Sequence, residues 1–399
     1  MLCRISLIVS AALIAGAAEA ASNSGYTIEN FPILERLQAQ GATLDPETVH
    51  WMEKWKGMNL EEEKYTFKGL GGATSITMKV RKQDPSNPQE TKSMGAFVPR
   101  NGAGNPNTGI AYFNMAAILG YDGIFRPSVR YEAGPRAMAA LKSLIQHSVI
   151  KGRDRLENEA RILKAIAAGA PLKGYMKTGK TDGAVAVDAL GNPSAHPNGA
   201  PRPGHPIIAA LQASNPTPKA GATLVLAKGF AGDALELSRE YSVIMTLDAV
   251  FQQWDRYSGG NTYVRKDQTG QAHFYAVDND GSDIATSPSW TERNLSWFSR
   301  YDRKTIEKLQ ELYGFLENPA RGFLGYNNAE TFIVDLGLYF ELPPATYVAR
   351  VKRNLGLLLD RVQEIEAKYG AAAFLDSVHA EDRTTAPEPH GRCYSDQLR

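Results

Sequence analysis

Three side chains carry the chemistry that this sequence suggests. Asp255 opens the stretch "DRYSGGN", Asn261 closes it, and Asp278 opens "DNDGSD" further along the chain. Carboxylate and amide oxygens are hard donors suited to magnesium or manganese. A further carboxylate beside them can orient a hydroxyl and accept its proton. That division of labour serves in-line phosphoryl transfer, where catalysis is mostly positioning and charge stabilisation. A lone Asp at a helix end commonly does no more than pair with its neighbour, here Arg256. The reading therefore rests on the three residues in order. A calcium loop does not fit "DNDGSD": an EF-hand needs glycine at its sixth position and an acid at its twelfth, whereas Gly281 is at the fourth and Ser289 at the twelfth.

Local patterning supplies elements to position these groups. "DALELSREYSVIMTLDAVFQQW" predicts a helix capped by Asp233, with Leu237, Tyr241, Ile244, Leu247 and Phe251 along one stripe. It ends at Trp254 and delivers Asp255 to its C-terminal end. "NTYVRK" and "HFYAVD" alternate as strands around "DQTGQA", a hairpin that returns Asp278 towards Asn261. Upstream, "KYTFKGLGGATSITMKVRK" reads as strand, glycine turn, strand. Gly69, Gly71 and Gly72 in that turn could bring backbone N–H groups to a phosphate, or could simply close a hairpin. "QDPSNPQETK" reads as a loop and "SMGAFVPR" as a short strand. A helix starts at Asn105-Pro106 and stops at Gly120, and "RPSV" is extended. In "RDRLENEARILKAIAAG" the spacing of Leu156, Ala160, Leu163 and Ile166 predicts an apolar helix face. From about 177 to 220 the chain is rich in Pro, Gly, Asn and Ala and reads as a long loop. "RKTIEKLQELYGFL" and a longer segment from Thr346 to Gly370 read as helices.

The composition sets outer bounds. With 399 residues and 43% hydrophobic content the chain can bury a full core. A formal charge of +1 without a basic stripe argues against nucleic acid as a partner. Residues 1–20 read as a secretory signal, with Arg4, an apolar run and the Ala18-Glu19-Ala20 cleavage pattern. No later segment holds about 18 uninterrupted apolar residues, so no transmembrane segment is expected after cleavage. The expected location is exported, periplasmic or secreted. Asn294-Leu295-Ser296 is a formal glycosylation sequon.

The order of these motifs resembles the catalytic core of atypical kinases: the secretory-pathway casein-kinase family, the HipA-type bacterial kinases and the phosphatidylinositol kinases. In those families an Asp-Arg pair opens the catalytic loop, an Asn follows, and a hairpin leads to an Asp-Asn-Gly-like metal motif. Asp255-Arg256, Asn261 and Asp278-Asn279 match these elements, and "NTGIAYFNMAAILGYDGIFRPSVR" is similar to the N-lobe helix and the strand after it. The resemblance implies Asp255 as catalytic residue and Asn261 and Asp278 as metal ligands. It implies magnesium or manganese, and ATP or another nucleotide. It also implies an α+β, two-lobed protein-kinase-like fold. On that reading an extension over 21–59 follows the signal, and the β-rich N-lobe covers 60–175. A Pro/Gly-rich loop or insertion covers 176–220, a mostly helical C-lobe 221–375 and a disordered tail 376–399. The Asp-to-Asn gap is one residue longer than the family's. Val98 and Gly109 stand where the family has its phosphate-binding Lys and the Glu that pairs with it. Lys79 and Arg100 are candidate replacements for that Lys, and Glu157 or Glu159 for the Glu. The expected function is an exported kinase-like phosphotransferase acting on a hydroxyl of a protein, sugar or lipid. The alternatives are a non-catalytic pseudokinase module and an unrelated exported binding protein.

Overall fold

The computed structural model describes residues 26–71, 76–100, 105–149, 152–179, 183–187, 190–192, 199–257, 261–282, 284 and 289–376. The predicted signal and all of the predicted tail but Asp376 lie outside the described residues. Two helices, α1 (Pro32–Ala39) and α2 (Pro46–Trp55), precede a sheet built from β1 (Tyr65–Gly71), β2 (Thr77–Asp84) and β3 (Asn87–Pro99). Helix α3 (Pro106–Ile118) follows, then β4 (Ser128–Ala133), α4 (Pro135–Gln146), α5 (Arg153–Ala167) and β5 (Leu172–Lys177). The five strands run in the order β1-β2-β3-β5-β4, antiparallel throughout. The predicted loop "QDPSNPQETK" is mostly strand, because β2 and β3 extend as a polar hairpin tied by Arg81 Nη1 donating to Thr91 at 3.1 Å. One sheet face is apolar: Phe97 meets Tyr131 edge to face, and Trp55 donates its indole N–H to the Met94 carbonyl at 2.9 Å.

Short strands β6 (Val185–Ala186), β7 (Gly191–Asn192) and β8 (Ala200–Pro201) and helix α6 (Pro206–Ala210) give some of the predicted long loop regular structure. The second lobe follows: β9 (Thr223–Ala227), β10 (Phe230–Asp233), α7 (Ala234–Phe251), and the hairpin β11 (Thr262–Lys266) with β12 (Ala272–Ala276). Helices α8 (Ser289–Leu295), α9 (Arg303–Glu317), α10 (Ala329–Leu336) and α11 (Pro344–Tyr369) complete it. Among the described residues no helix is long and apolar enough to cross a membrane.

Two helices fix the site between the lobes. In α3, Asn105 caps the N-terminus by accepting from Asn107 N at 3.0 Å and Pro106 takes the first turn. Every residue of α3 is buried. Its polar side chains reach second-lobe carbonyls, Asn107 that of Phe340 at 2.8 Å and Asn114 that of Leu336 at 3.0 Å. In α7, Asp233 accepts from Glu236 N at 2.9 Å, as its capping role predicts. The helix stops at Phe251 rather than Trp254. Gln252 adopts the left-handed conformation at φ 60°, and Gln253 N bonds back to the Asp248 carbonyl.

The buried side of α5 differs from the predicted one. Arg155, Asn158, Glu159 and Ile162 are buried, while Leu156 is 48% exposed. An Arg155–Glu159 ion pair at 2.8 Å lets this charged face pack inward.

Candidate active site

The left-handed turn at Gln252 starts a tight loop that carries Asp255 away from the end of α7. Gln253 steadies it. Its Oε1 accepts from Asp255 N at 3.0 Å, and its Nε2 donates to the Asp278 carbonyl at 3.4 Å. Asn261 Nδ2 donates to the Asp255 carboxylate at 3.0 Å and to the Asp255 carbonyl at 2.7 Å. With that nitrogen committed to Asp255, Oδ1 is the amide atom a cation would use. The extra residue in the Asp-to-Asn gap therefore does not keep the two side chains apart. The glycines that close it, Gly259 and Gly260, lie outside the described residues.

The "DNDG" turn lies directly against this loop. A Cβ at Gly281 would fall 2.8 Å from Asp255 Cβ and 3.0 Å from Gln253 Oε1, so only glycine permits the approach. Gly281 N donates to the Asp278 carbonyl at 3.2 Å. Asp278 itself has φ 50°, a left-handed backbone that Asp tolerates better than most residues. The structure thus brings Asp255, Asn261 and Asp278 onto two adjoining loops.

Arg256 rivets these pieces together. It is buried and forks onto Asp248 at 2.8 and 2.9 Å, and it donates to the carbonyls of Asn261 and Val277 and to Asn279 Oδ1. Burial opposes its charge, but Asp248 more than offsets this and holds Arg256 above the ordinary arginine value. Asp248 also accepts from the Tyr112 hydroxyl at 2.9 Å, which ties α3 to the loop. Asn294 belongs to the same framework. It is buried and its amide donates to the carbonyls of Asp248 and Gln253, so the formal sequon serves packing in the folded chain.

The place where the family's Lys–Glu pair would stand is filled differently. Val98 is opposite Tyr175 across β3 and β5, and a Cβ at Gly109 would lie 3.2 Å from the Tyr175 ring. Val98, Ile110 and Tyr175 form a small apolar cluster with Tyr339 against it. The Tyr175 hydroxyl bonds Asp280, whose buried carboxyl is held above the usual carboxylate range by desolvation, with Lys177 opposing and Asp278 reinforcing the shift.

The cations that reach the site are ones the sequence reading did not single out. Lys177 Nζ is 3.3 Å and Arg126 Nη1 3.9 Å from Asp278 Oδ1. Lys177 lies at the start of the predicted loop, where composition hides it, yet it is the last residue of β5. Arg126 stands before Pro127, just ahead of β4. Lys79 is exposed on β2, on the sheet face that Lys177 shares, with Ala96 between them. Arg100 follows β3 and bonds the Lys173 carbonyl, at the opposite end of β5 from Lys177, and it pairs with Glu341. The proposed acidic partners are engaged within α5, Glu157 with Arg153 and Glu159 with Arg155. Gly69 sits at φ 61° beside a bulge in β1, Gly71 pairs with Thr77, and Gly72 lies outside the described residues.

Among the described residues no group of three His, Cys, Asp or Glu side chains is arranged to hold a metal alone. Asp278 and the Asn261 amide fit a different mode, in which one or two protein oxygens share a magnesium-like ion with substrate phosphates.

The class that fold and site define is a two-lobed α+β protein: an antiparallel sheet with a buried helix beside it, joined to a helical lobe whose helix–loop–hairpin presents two carboxylates. Two solved structures similar to the chain are of the Golgi casein kinase. One shares 10% identity and a TM-score of 0.49, covering 88% of this chain and 93% of that chain. The other, with Mn/ADP bound, shares 11% identity and a TM-score of 0.46, covering 76% of this chain and 74% of that chain. No family model matches the sequence, and no curated protein matches it. Residue roles for this chain rest on its own geometry.

Proposed function

We propose that this chain is an exported kinase-like phosphotransferase that moves a phosphoryl group from a nucleotide to an acceptor hydroxyl. The observation that carries the reading is Asp255, held by Asn261 at the end of a buried helix and packed against the turn that bears Asp278. In the proposed reaction the acceptor oxygen bonds to the γ-phosphorus as the bond to the β–γ bridging oxygen breaks. The acceptor proton passes to Asp255 and a nucleoside diphosphate leaves. Asp278 and Asn261 would hold magnesium or manganese, which when bound offsets the negative charge of the phosphates. Nucleotide is scarce outside the cytoplasm, so export favours onward secretion or an unusual donor.

The test is phosphoryl transfer or autophosphorylation from labelled nucleoside triphosphates with magnesium or manganese. Asp255→Asn should lower the rate by about 10²–10⁴-fold while nucleotide still raises the melting temperature. Absence of transfer by the wild type with every donor and metal tried overturns the enzyme reading. One observation favours a second reading, a pseudokinase module: the Tyr175 ring occupies the place of the Lys–Glu pair. That reading expects nucleotide or metal to stabilise the wild type without any transfer.

A further inference from the structure

We infer that Lys177 and Arg126 form the phosphate grip of this site, so that the cation serving it has moved from β3 to β5 and to the segment before β4. The inference rests on the proposed site and extends it to the group that binds the donor's phosphates.

The sheet register explains why Lys177 is suited to the task. Along β5, side chains two residues apart share a face, so Lys177 follows Tyr175 on the face turned towards Asp280 and Asp278. Tyr175 blocks the β3 position, and the next opportunity on that face is Lys177. Its cross-strand partners are Ala96 on β3 and Ser128 on β4. Both are small, which leaves room beside the ammonium. The end of β5 and the turn after β12 belong to different sheets, and their packing sets Lys177 against Asp278.

The burial of the two cations points to an anion. The side chains of Lys177 and Arg126 are each only 8% exposed, whereas that of Asp278, on which both converge, is 50% exposed. Arg126 Nε is shielded from water and has no hydrogen-bond partner. Two desolvated cations thus converge on a carboxylate that is turned halfway to solvent, and one buried N–H of Arg126 is left without a partner. Buried charge without full compensation is costly, and a phosphate arriving beside Asp278 supplies what is missing. The two cations divide the work: Lys is a point charge with rotatable donors, and Arg is a fixed fork that matches phosphate geometry.

The probe is tripolyphosphate without metal, its binding followed by calorimetry on the full chain, alongside nucleotide KM wherever transfer is measurable. Lys177→Met should weaken tripolyphosphate binding by about tenfold or more, as expected for loss of a charge-assisted contact, and Lys177→Arg should recover most of it. Should Lys177→Met fail to fold, the wild type still decides the matter. Tripolyphosphate should protect Lys177 from an amine-acylating reagent, read by mass spectrometry. Wild type that binds no tripolyphosphate, or binding that leaves Lys177 as reactive as before, overturns the grip. So does a larger loss for Lys79→Met than for Lys177→Met. The outcomes also separate the grip from the kinase reading. Binding lost in Lys177→Met by a protein that never transfers phosphate supports the grip and overturns the enzyme. Transfer with unchanged KM and unchanged tripolyphosphate affinity in Lys177→Met supports the enzyme and overturns the grip.

Discussion

Arg256 is the residue on which most of the site's geometry converges. Its guanidinium reaches the helix before the loop, the loop itself and the turn after the hairpin. Removing it would strand Asp248 as a buried charge with only the Tyr112 hydroxyl and neighbouring dipoles. Arg256→Ala is expected to destabilise the chain by about 3–5 kcal/mol, the usual cost of breaking one side of a buried pair. Lys in its place should recover part of this, because a point charge cannot reproduce the fork. Urea denaturation midpoints of the two variants check both expectations. At this scale the sequence is informative. Asp255, Asn261 and Asp278 lie on one helix end and one hairpin, so their convergence follows from local geometry. Lys177 and Arg126 carry no such mark, because the packing that brings them to Asp278 joins parts of the chain that are not local.

At the scale of elements, the tie between α2 and the β11–β12 hairpin has an electrostatic signature. Asp45 caps α2 by accepting from Glu47 N at 2.8 Å, and its own N–H donates to Asp122 at 2.8 Å. Arg265 of β11 pairs with Glu47 and donates to the Gly123 carbonyl. Burial, reinforced by Asp122 and opposed by Arg265, pushes the Asp45 carboxyl up to about 7 from an ordinary 3.8. The folded state therefore holds this proton more tightly than the unfolded state does. Its contribution to stability is complete below the ordinary value and is lost as pH rises through about 7. Urea midpoints of the wild type should fall from about pH 5 to about pH 8, a span that covers most of that loss, and Asp45→Asn should flatten the slope. An equal slope in both proteins would show that Asp45 is not its source. Elements also mark where periodicity misleads. The 3–4 spacing of Leu156, Ala160, Leu163 and Ile166 is real, but the Arg155–Glu159 pair satisfies its own charges and lets another face of α5 turn inward.

At the scale of the whole molecule, the site depends on both lobes being held together. Helix α3 does this through Asn107 and Asn114 on second-lobe carbonyls and through Tyr112 on Asp248. On the proposed reading, a nucleotide with its divalent ion would add a bridge from Lys177 and Arg126 in the first lobe to Asp278 in the second. A ligand that binds only the folded chain raises stability by about 2.7 kcal/mol at a hundred times its dissociation constant. Nucleotide with manganese should therefore raise the melting temperature of the wild type. Asp278→Ala should abolish the part of that rise that depends on manganese. An undiminished manganese-dependent shift in the variant would place the metal elsewhere.

The sequence by itself determined the helix, the loop, the hairpin and the three oxygen-bearing side chains on them, because hydrophobic period, capping residues and turn chemistry act over a few residues. Its resemblance to kinases also marked Val98 and Gly109 as the places where that pattern has a Lys and a Glu. Only the tertiary structure decided what replaces them. The order β3-β5-β4 sets Tyr175 against Val98 and Gly109, and the packing of that sheet on the turn after β12 brings Lys177 and Arg126 to Asp278. Strand order joins residues as distant in the chain as Ala96 and Lys177 through backbone pairing, and backbone groups are the same in every residue. No local pattern of side chains could have announced that arrangement.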